Sequence, residues 1–148
     1  MTFRTWKYED INKIVELERA SFATPWSYQM LFSAFSSPYF YGVLVEDGDE
    51  IVGYACETVL FETAETDIVA VDENYRRKGL GTKLLTELET QAKARGAERM
   101  LLEVRVSNEP AKSLYQKQGY KEVTVRKRYY PDGEDALIMQ KNLTVEDE

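Results

Sequence analysis

The feature that most constrains the fold is an amphipathic segment in the middle of the chain. Its apolar residues recur at the spacing of one helix face, and they are Leu80, Leu84, Leu85, Leu88 and Ala92. Gly96 follows at a position where a left-handed glycine commonly ends a helix. The pattern therefore predicts a helix between Gly79 and Gly96 whose apolar face packs on a second layer of structure.

Two shorter helices and three strands are predicted before this helix. Apolar residues at helical spacing indicate a helix over residues 9–20. Ser27 is a suitable N-cap for a second helix that reaches Phe35. The chain then becomes rich in β-branched and aromatic residues, and the strands predicted there are residues 39–46, 50–61 and 66–71.

Three strands and one helix are predicted after it. Residues 99–106 alternate as a strand does, and Pro110 opens a helix that ends at Gly119. Two final strands are predicted over residues 121–127 and 136–141. This order of elements predicts an α/β fold with a mixed sheet. It runs two helices, three strands, helix, strand, helix and two strands.

Length and charge narrow the classes of function. The 148 residues fit one domain without a linker, and we expect residues 1–143 to form it and residues 144–148 to be a frayed tail. A net charge of −7 gives no general attraction for nucleic acid. The apolar run at residues 39–45 is too short to span a membrane. The first ten residues lack the apolar core of a signal peptide, so we expect a cytoplasmic protein.

The absence of histidine restricts the possible chemistry. The chain has no histidine and one cysteine, Cys56, for which we expect a buried structural position. A Ser-His-Asp triad, a Cys-His pair and a histidine-based zinc site are therefore excluded, and we expect no metal. If the protein is an enzyme, its base must be a carboxylate, a tyrosine, a lysine or a water held by one of them.

A basic, glycine-containing segment precedes the central helix. Its residues are Arg76, Arg77, Lys78, Gly79, Leu80, Gly81 and Thr82. Glycines at a helix start allow another molecule to approach the backbone, and free N–H groups with the helix dipole favour a phosphate. The segment matches neither the P-loop nor the Rossmann pattern. A solvated basic turn is the alternative interpretation.

Five segments of the chain, taken in order, together resemble one known family. The first is the loop above, with Arg76, Gly79 and Gly81 after an apolar strand. The others are Phe22-Ala23-Thr24-Pro25-Trp26-Ser27, Leu102-Glu103-Val104-Arg105, Ser107-Asn108 with Ala111 and Leu114-Tyr115, and Arg128-Tyr129-Tyr130-Pro131. These segments resemble the GNAT superfamily of acetyl-CoA-dependent N-acetyltransferases, and together its RimI-type branch, the ribosomal-protein alanine N-acetyltransferases. The resemblance covers almost the whole chain and implies a GNAT-like domain with a central, mostly antiparallel sheet flanked by helices.

The resemblance also implies where acetyl-CoA would bind. The backbone of the strand before the loop would hold the pantetheine arm, through Val69, Ala70 and Val71. The loop would wrap the pyrophosphate, through Arg77, Lys78, Gly79, Leu80, Gly81 and Thr82, and Asn108 would meet the cofactor further along its arm. The chain departs from its relatives at Ile68, where they often carry a polar residue.

Two residues at positions that match the RimI pattern are candidates for proton transfer. Acetyl transfer from a thioester to an amine requires the ammonium to lose a proton and the departing thiolate to gain one. Glu103, near a strand end, is the candidate base, and Tyr115, one helix later, is the candidate acid. A solvated carboxylate and a packed helix tyrosine are the structural alternatives.

The acceptor is expected to be the basic N-terminal peptide of a ribosomal protein, because RimI-type enzymes acetylate an N-terminal alanine. The candidate walls of its groove are Phe22, Trp26, Tyr129 and Tyr130, which are equally compatible with core or rim positions. Acidic residues that would attract such a peptide include Glu46, Asp47, Glu62 and Glu65. Two other functions stay open: acetylation of a lysine or small amine, and acyl-CoA binding without turnover.

Overall fold

The computed structural model describes residues 1–144, which form seven strands and four helices. The strands are β1 (Thr2–Thr5), β2 (Phe40–Asp47), β3 (Glu50–Leu60), β4 (Thr63–Val71), β5 (Arg99–Arg105), β6 (Lys121–Arg126) and β7 (Ala136–Asn142). The helices are α1 (Ile11–Ser21), α2 (Tyr28–Phe35), α3 (Leu80–Ala94) and α4 (Glu109–Lys117). Short 3-10 turns at Tyr8–Asp10 and Glu73–Tyr75 precede α1 and α3.

All seven strands belong to one sheet, in the order β1-β2-β3-β4-β5-β7-β6. Every neighbouring pair is antiparallel except β4 and β5. That parallel pair is short, because residues 63–66 of β4 pair with residues 99–102 of β5 and the pairing then stops. The sheet is therefore open between the C-terminal halves of β4 and β5.

Helices cover both faces of the sheet. α3 packs on one face through the leucine face predicted from its spacing, and α4 joins this core through Tyr115. α1 and α2 pack on the opposite face, where Ile11, Ile14 and Leu31 are fully buried. The α/β class and the mostly antiparallel mixed sheet are confirmed.

Local signals placed most of the helix ends correctly. The Ser27 hydroxyl accepts a hydrogen bond from the Met30 N–H at 3.2 Å, as expected of an N-cap. Gly96 has a φ of 94° and follows the last turn of α3. Cys56 is fully buried, and burial raises the pKa of its thiol, so the predicted structural position is confirmed. Among residues 1–144, no helix has the length and apolar character that a membrane span requires.

The structure corrects several boundaries and adds a strand. β1 was not predicted, because its side chains are mostly polar and its position depends on distant partners. Arg4 pairs with Asp10 at 2.8 Å and with Glu46 at 2.9 Å, which fixes this edge strand beside β2. β4 begins at Thr63, three residues earlier than predicted, and α1 begins at Ile11 after a 3-10 turn. Most of the predicted tail, residues 145–148, lies outside the described residues.

Candidate active site

A cavity of about 780 Å³ lies where β4 and β5 part. A β-bulge lies at the point of separation: Cys56 on β3 pairs with Ile68 and Glu57 pairs with Thr66, so Asp67 is an extra residue on β4. A bulge bends its strand and increases the local twist. The loop between α1 and α2, the loop between β6 and β7, and α4 complete the cavity wall.

Glu103 reaches this cavity from the face of the sheet that carries α1 and α2. Its neighbours on β5, Leu102 and Val104, are buried on the opposite face, so alternation directs Glu103 away from the α3 core. Its Oε2 accepts a hydrogen bond from Arg126 Nη1 at 3.2 Å. Burial, and then the nearby Glu103 carboxylate, raise the pKa of the Tyr129 hydroxyl.

Tyr115 reaches the same cavity from the other face of the sheet. Its side chain belongs to the α3 core, lies edge-to-face with Tyr120 at 6.0 Å and is 8% exposed. Its hydroxyl makes no hydrogen bond to any residue within 1–144 and is not sealed from solvent. Burial raises the pKa of Tyr115 to about 12, so the hydroxyl keeps its proton at neutral pH. The gap in the sheet thus brings Glu103 and Tyr115 to one space.

The loop before α3 has the geometry of an anion site. Gly79, the N-cap of α3, has a φ of 77° and no side chain caps the helix. A Cβ at Gly79 would meet no atom within 4 Å, so its surroundings are open. In the described part of the chain, Arg76, Arg77 and Lys78 form no ion pair with an acidic group. Uncapped N–H groups and unpaired cations both favour an anionic ligand.

The strand that leads to this loop has an unpaired edge. Beyond Thr66, β4 pairs only with β3, and Val69 lines the cavity. The Val71 carbonyl accepts a hydrogen bond from Arg76 Nε at 3.1 Å, so the strand end and the loop are tied together. Asn108 also lines the cavity, while its Oδ1 caps α4 by accepting from the Ala111 N–H. The backbone on both sides of the gap is therefore accessible to an extended ligand.

The four predicted acceptor residues also line the cavity. Phe22 and Trp26 lie on the loop between α1 and α2, and Tyr129 and Tyr130 lie on the loop between β6 and β7, with ring centroids 5.2 Å apart. The structure brings all four together. Of the acidic residues predicted to attract a peptide, Glu65 lines the cavity, whereas Glu46, Asp47 and Glu62 do not.

A buried glutamate positions the first of these loops. Glu18 is 1% exposed, and its two carboxylate oxygens accept hydrogen bonds from the Trp26 N–H and the Tyr54 hydroxyl, each at 2.9 Å. Burial raises the pKa of Glu18. Its position in the helix predicted over residues 9–20 was apparent from the sequence, but its partners were not, because they lie on other segments of the chain.

Arg105 joins the two loops over the cavity. Its guanidinium donates to Asp132 at 2.8 Å, to Glu134 at 2.9 Å and to Thr24 at 3.1 Å. It also lies 4.1 Å from the ring centroid of Tyr130. The sequence analysis included Arg105 in the segment Leu102-Glu103-Val104-Arg105 but did not predict this role, because its partners lie on distant loops. Across residues 1–144 no group of three or more acidic, cysteine or histidine side chains is placed to hold a metal ion.

Known proteins share both the sequence pattern and this fold. The model of the acetyltransferase (GNAT) family matches residues 9–120. The [ribosomal protein bS18]-alanine N-acetyltransferase of Haemophilus ducreyi is 38% identical over 136 residues, covering 88% of this chain and 92% of its own. The Escherichia coli protein of the same name is 36% identical over 141 residues, covering 93% and 95%.

Solved structures agree. The ribosomal-protein-S18-alanine N-acetyltransferase from Escherichia coli matches with a TM-score of 0.88 and 32% identity, covering 99% of this chain and 96% of that one. Arabidopsis thaliana NAA60 in complex with acetyl-CoA has the same fold, with a TM-score of 0.88 at 15% identity over 97% and 99% of the two chains. The chain belongs to the acetyltransferase (GNAT) family, as the loop before α3 and the four other segments indicated.

Proposed function

We propose that this protein transfers an acetyl group from acetyl-CoA to the N-terminal α-amine of a protein, with the N-terminal alanine of ribosomal protein bS18 as the acceptor. The observation that carries the proposal is the gap between β4 and β5, which Glu103 enters from one face of the sheet and Tyr115 from the other. The relatives named for this reaction, at 36% and 38% identity over most of the chain, support the acceptor.

The residues around the gap suit acetyl-CoA. The uncapped start of α3 would hold the pyrophosphate through Arg77, Lys78, Gly79, Leu80, Gly81 and Thr82. The unpaired edge of β4 would hold the pantetheine arm through the backbone of Val69, Ala70 and Val71, and Asn108, which lines the cavity, would meet the cofactor further along its arm. When bound there, acetyl-CoA supplies an activated thioester.

Glu103 and Tyr115 would divide the proton transfers. The Glu103 carboxylate accepts a proton from the acceptor ammonium, directly or through a water, and the free amine forms the new C–N bond as the C–S bond breaks. As the acetylated nitrogen loses its second proton, which restores the tyrosine, the Tyr115 hydroxyl donates its own proton to the departing sulfur. Because burial raises the pKa of Tyr115 to about 12, this proton is present throughout the neutral range.

An α-amine acceptor agrees with the available base. Its unperturbed pKa is about 7.7–8.0, whereas that of a lysine side chain is about 10.4, so a carboxylate suffices for the α-amine near neutral pH. Phe22, Trp26, Tyr129 and Tyr130 would contact the first residues of the peptide. The net charge of −7 is compatible with binding a basic segment of a ribosomal protein. A ribosomal-protein acceptor also agrees with the predicted cytoplasmic location.

Release of free thiol from acetyl-CoA tests the acceptor class. We expect release with an alanine-terminated basic peptide, and none with the same peptide acetylated at its N-terminus, because the N-acetylated peptide lacks a free α-amine. If thiol is released only with lysine side chains or polyamines, the protein is instead an acetyltransferase for lysine or small amines. If the protein binds acetyl-CoA but releases no thiol with any amine, it is an acyl-CoA-binding module without transferase activity.

Gly79 provides a test of the cofactor site. Gly79→Val places a branched side chain where backbone approach is required, so we expect the calorimetric affinity for acetyl-CoA to fall about tenfold or more. Gly48→Val is a matched control, because Gly48 has a φ of 64°, is equally open and lies in the turn between β2 and β3. If the parent and the Gly79 variant bind acetyl-CoA with equal affinity, the pyrophosphate does not bind at this loop.

Tyr115→Phe tests the proposed acid. Because the hydroxyl has no partner within residues 1–144, its removal should leave the melting temperature unchanged while turnover falls about a hundredfold. Tyr120→Phe is the matched control: it removes the buried hydrogen bond to Glu89 and should lower stability without lowering kcat. A Tyr115 variant with the parent's turnover would make this tyrosine a packing residue.

Glu103→Gln tests the proposed base. The variant cannot accept the proton, so kcat/KM should fall most near pH 7 and recover toward pH 9, as the free α-amine becomes abundant. The measurement is a pH–rate profile with an alanine-terminated basic peptide, after unchanged acetyl-CoA affinity has been verified. A deficit that stays constant with pH would indicate that Glu103 acts on the ammonium electrostatically and is not the base.

A further inference from the structure

Asp67 is the extra residue of the bulge in β4, at the point where β4 leaves β5. It lines the same cavity as Glu103. Its Oδ2 accepts a hydrogen bond from the Thr58 hydroxyl at 2.9 Å. Its Oδ1 accepts none from residues 1–144 and is not sealed from solvent. One carboxylate oxygen is thus held in place while the other is left for a ligand.

The cations near the cavity are engaged elsewhere. Arg126 pairs with Glu103, and Arg105 pairs with Asp132 and Glu134. Within the described chain, no arginine or lysine lies within 4.0 Å of the Asp67 carboxylate. The carboxylates of Glu65 and Glu103 repel its negative charge. Asp67 therefore lacks the cation that a carboxylate in a partly buried site normally requires.

Burial, more than these two carboxylates, raises the pKa of Asp67 to about 6. At pH 7 the group is still mostly ionised, so the folded protein holds an uncompensated negative charge in the cavity. Glu57 provides a contrast, because it is fully buried and burial raises its pKa to about 9, which keeps it neutral at pH 7. A charge that lowers stability and opens onto a cavity is typical of a functional site.

A second feature of the cavity points to a polar ligand. The Tyr115 side chain is more than nine-tenths buried, and its hydroxyl opens into the same cavity without a partner from residues 1–144. A ligand that satisfies both groups needs a cation beside Asp67 and a hydrogen-bond acceptor beside Tyr115. An ammonium next to a thioester has this combination.

We propose that Asp67 binds the ammonium group of the acceptor's N-terminal α-amine and so determines specificity for a free, unacetylated N-terminus. The inference rests on the proposed function and adds a substrate-binding residue to it. The ammonium supplies the missing counter-charge, and Glu103 then accepts its proton. The amide product carries no charge, so its interaction with Asp67 is lost and its release is favoured.

The test measures binding without turnover. With CoA bound in place of acetyl-CoA, calorimetry at pH 7 compares an alanine-terminated basic peptide with the same peptide acetylated at its N-terminus. We expect the parent protein to prefer the free amine by about tenfold to a hundredfold, the range of one charge-assisted hydrogen bond. Asp67→Asn should lose this preference and retain the parent's affinity for the acetylated peptide.

Two controls separate this role from a structural one. Asp49→Asn makes the same substitution at an exposed carboxylate in the turn between β2 and β3, outside the cavity lining, and should retain the preference. Asp67→Asn should melt no lower than the parent at pH 7, because it removes an uncompensated charge. The inference is overturned if the Asn variant keeps the preference, if it loses affinity equally for both peptides, or if the parent has no preference.

The proposed function fails by a different result. A parent protein that prefers the free-amine peptide and yet transfers no acetyl group to it would support the Asp67 site and refute the transferase activity on that peptide. If the parent acetylates the peptide and Asp67→Asn retains the preference for the free amine, the transferase activity is supported and the role of Asp67 is refuted. Binding to the CoA complex and thiol release from acetyl-CoA are independent measurements, so the two failures cannot be confused.

Discussion

The short parallel pairing between β4 and β5 is the constraint on which the rest of the structure depends. Pairing over residues 63–66 and 99–102 keeps the seven strands in one sheet, and its end at Thr66 opens that sheet in the middle. Each backbone group beyond this point needs a hydrogen-bond partner or contact with water. The opening therefore places polar backbone between two apolar layers, which is where an extended polar ligand can bind.

The opening also explains how residues on opposite faces come together. Glu103 and Tyr115 belong to different layers, and in a closed sheet the strands would separate them. The same region concentrates groups that reduce stability: Asp67 has no counter-ion within the described chain, and the Tyr115 hydroxyl has no partner there. The surrounding structure compensates with satisfied interactions, such as those of Glu18 and Arg105, which hold the two loops over the cavity.

Much of the fold could be predicted because its signals are local. The leucine face of α3, the Ser27 cap and the glycine after α3 depend on residues within a few positions of one another. β1 could not be predicted in this way, since Arg4 is held by Asp10 and by the distant Glu46. The early start of β4 likewise depends on its pairing with β5 rather than on its own composition.

The candidate site likewise has features that the sequence predicts and features that only the tertiary structure shows. The sequence by itself determined the chemistry that is available: without histidine, the proton-transfer groups are carboxylates and tyrosines, and glycines at the start of α3 leave its N–H groups open. Only the tertiary structure decided that Glu103 and Tyr115 share one space and that Asp67 faces it without a counter-ion among residues 1–144. The physical reason is that local backbone preferences are set by neighbours in the chain, whereas burial and counter-charge are set by residues brought together from distant segments.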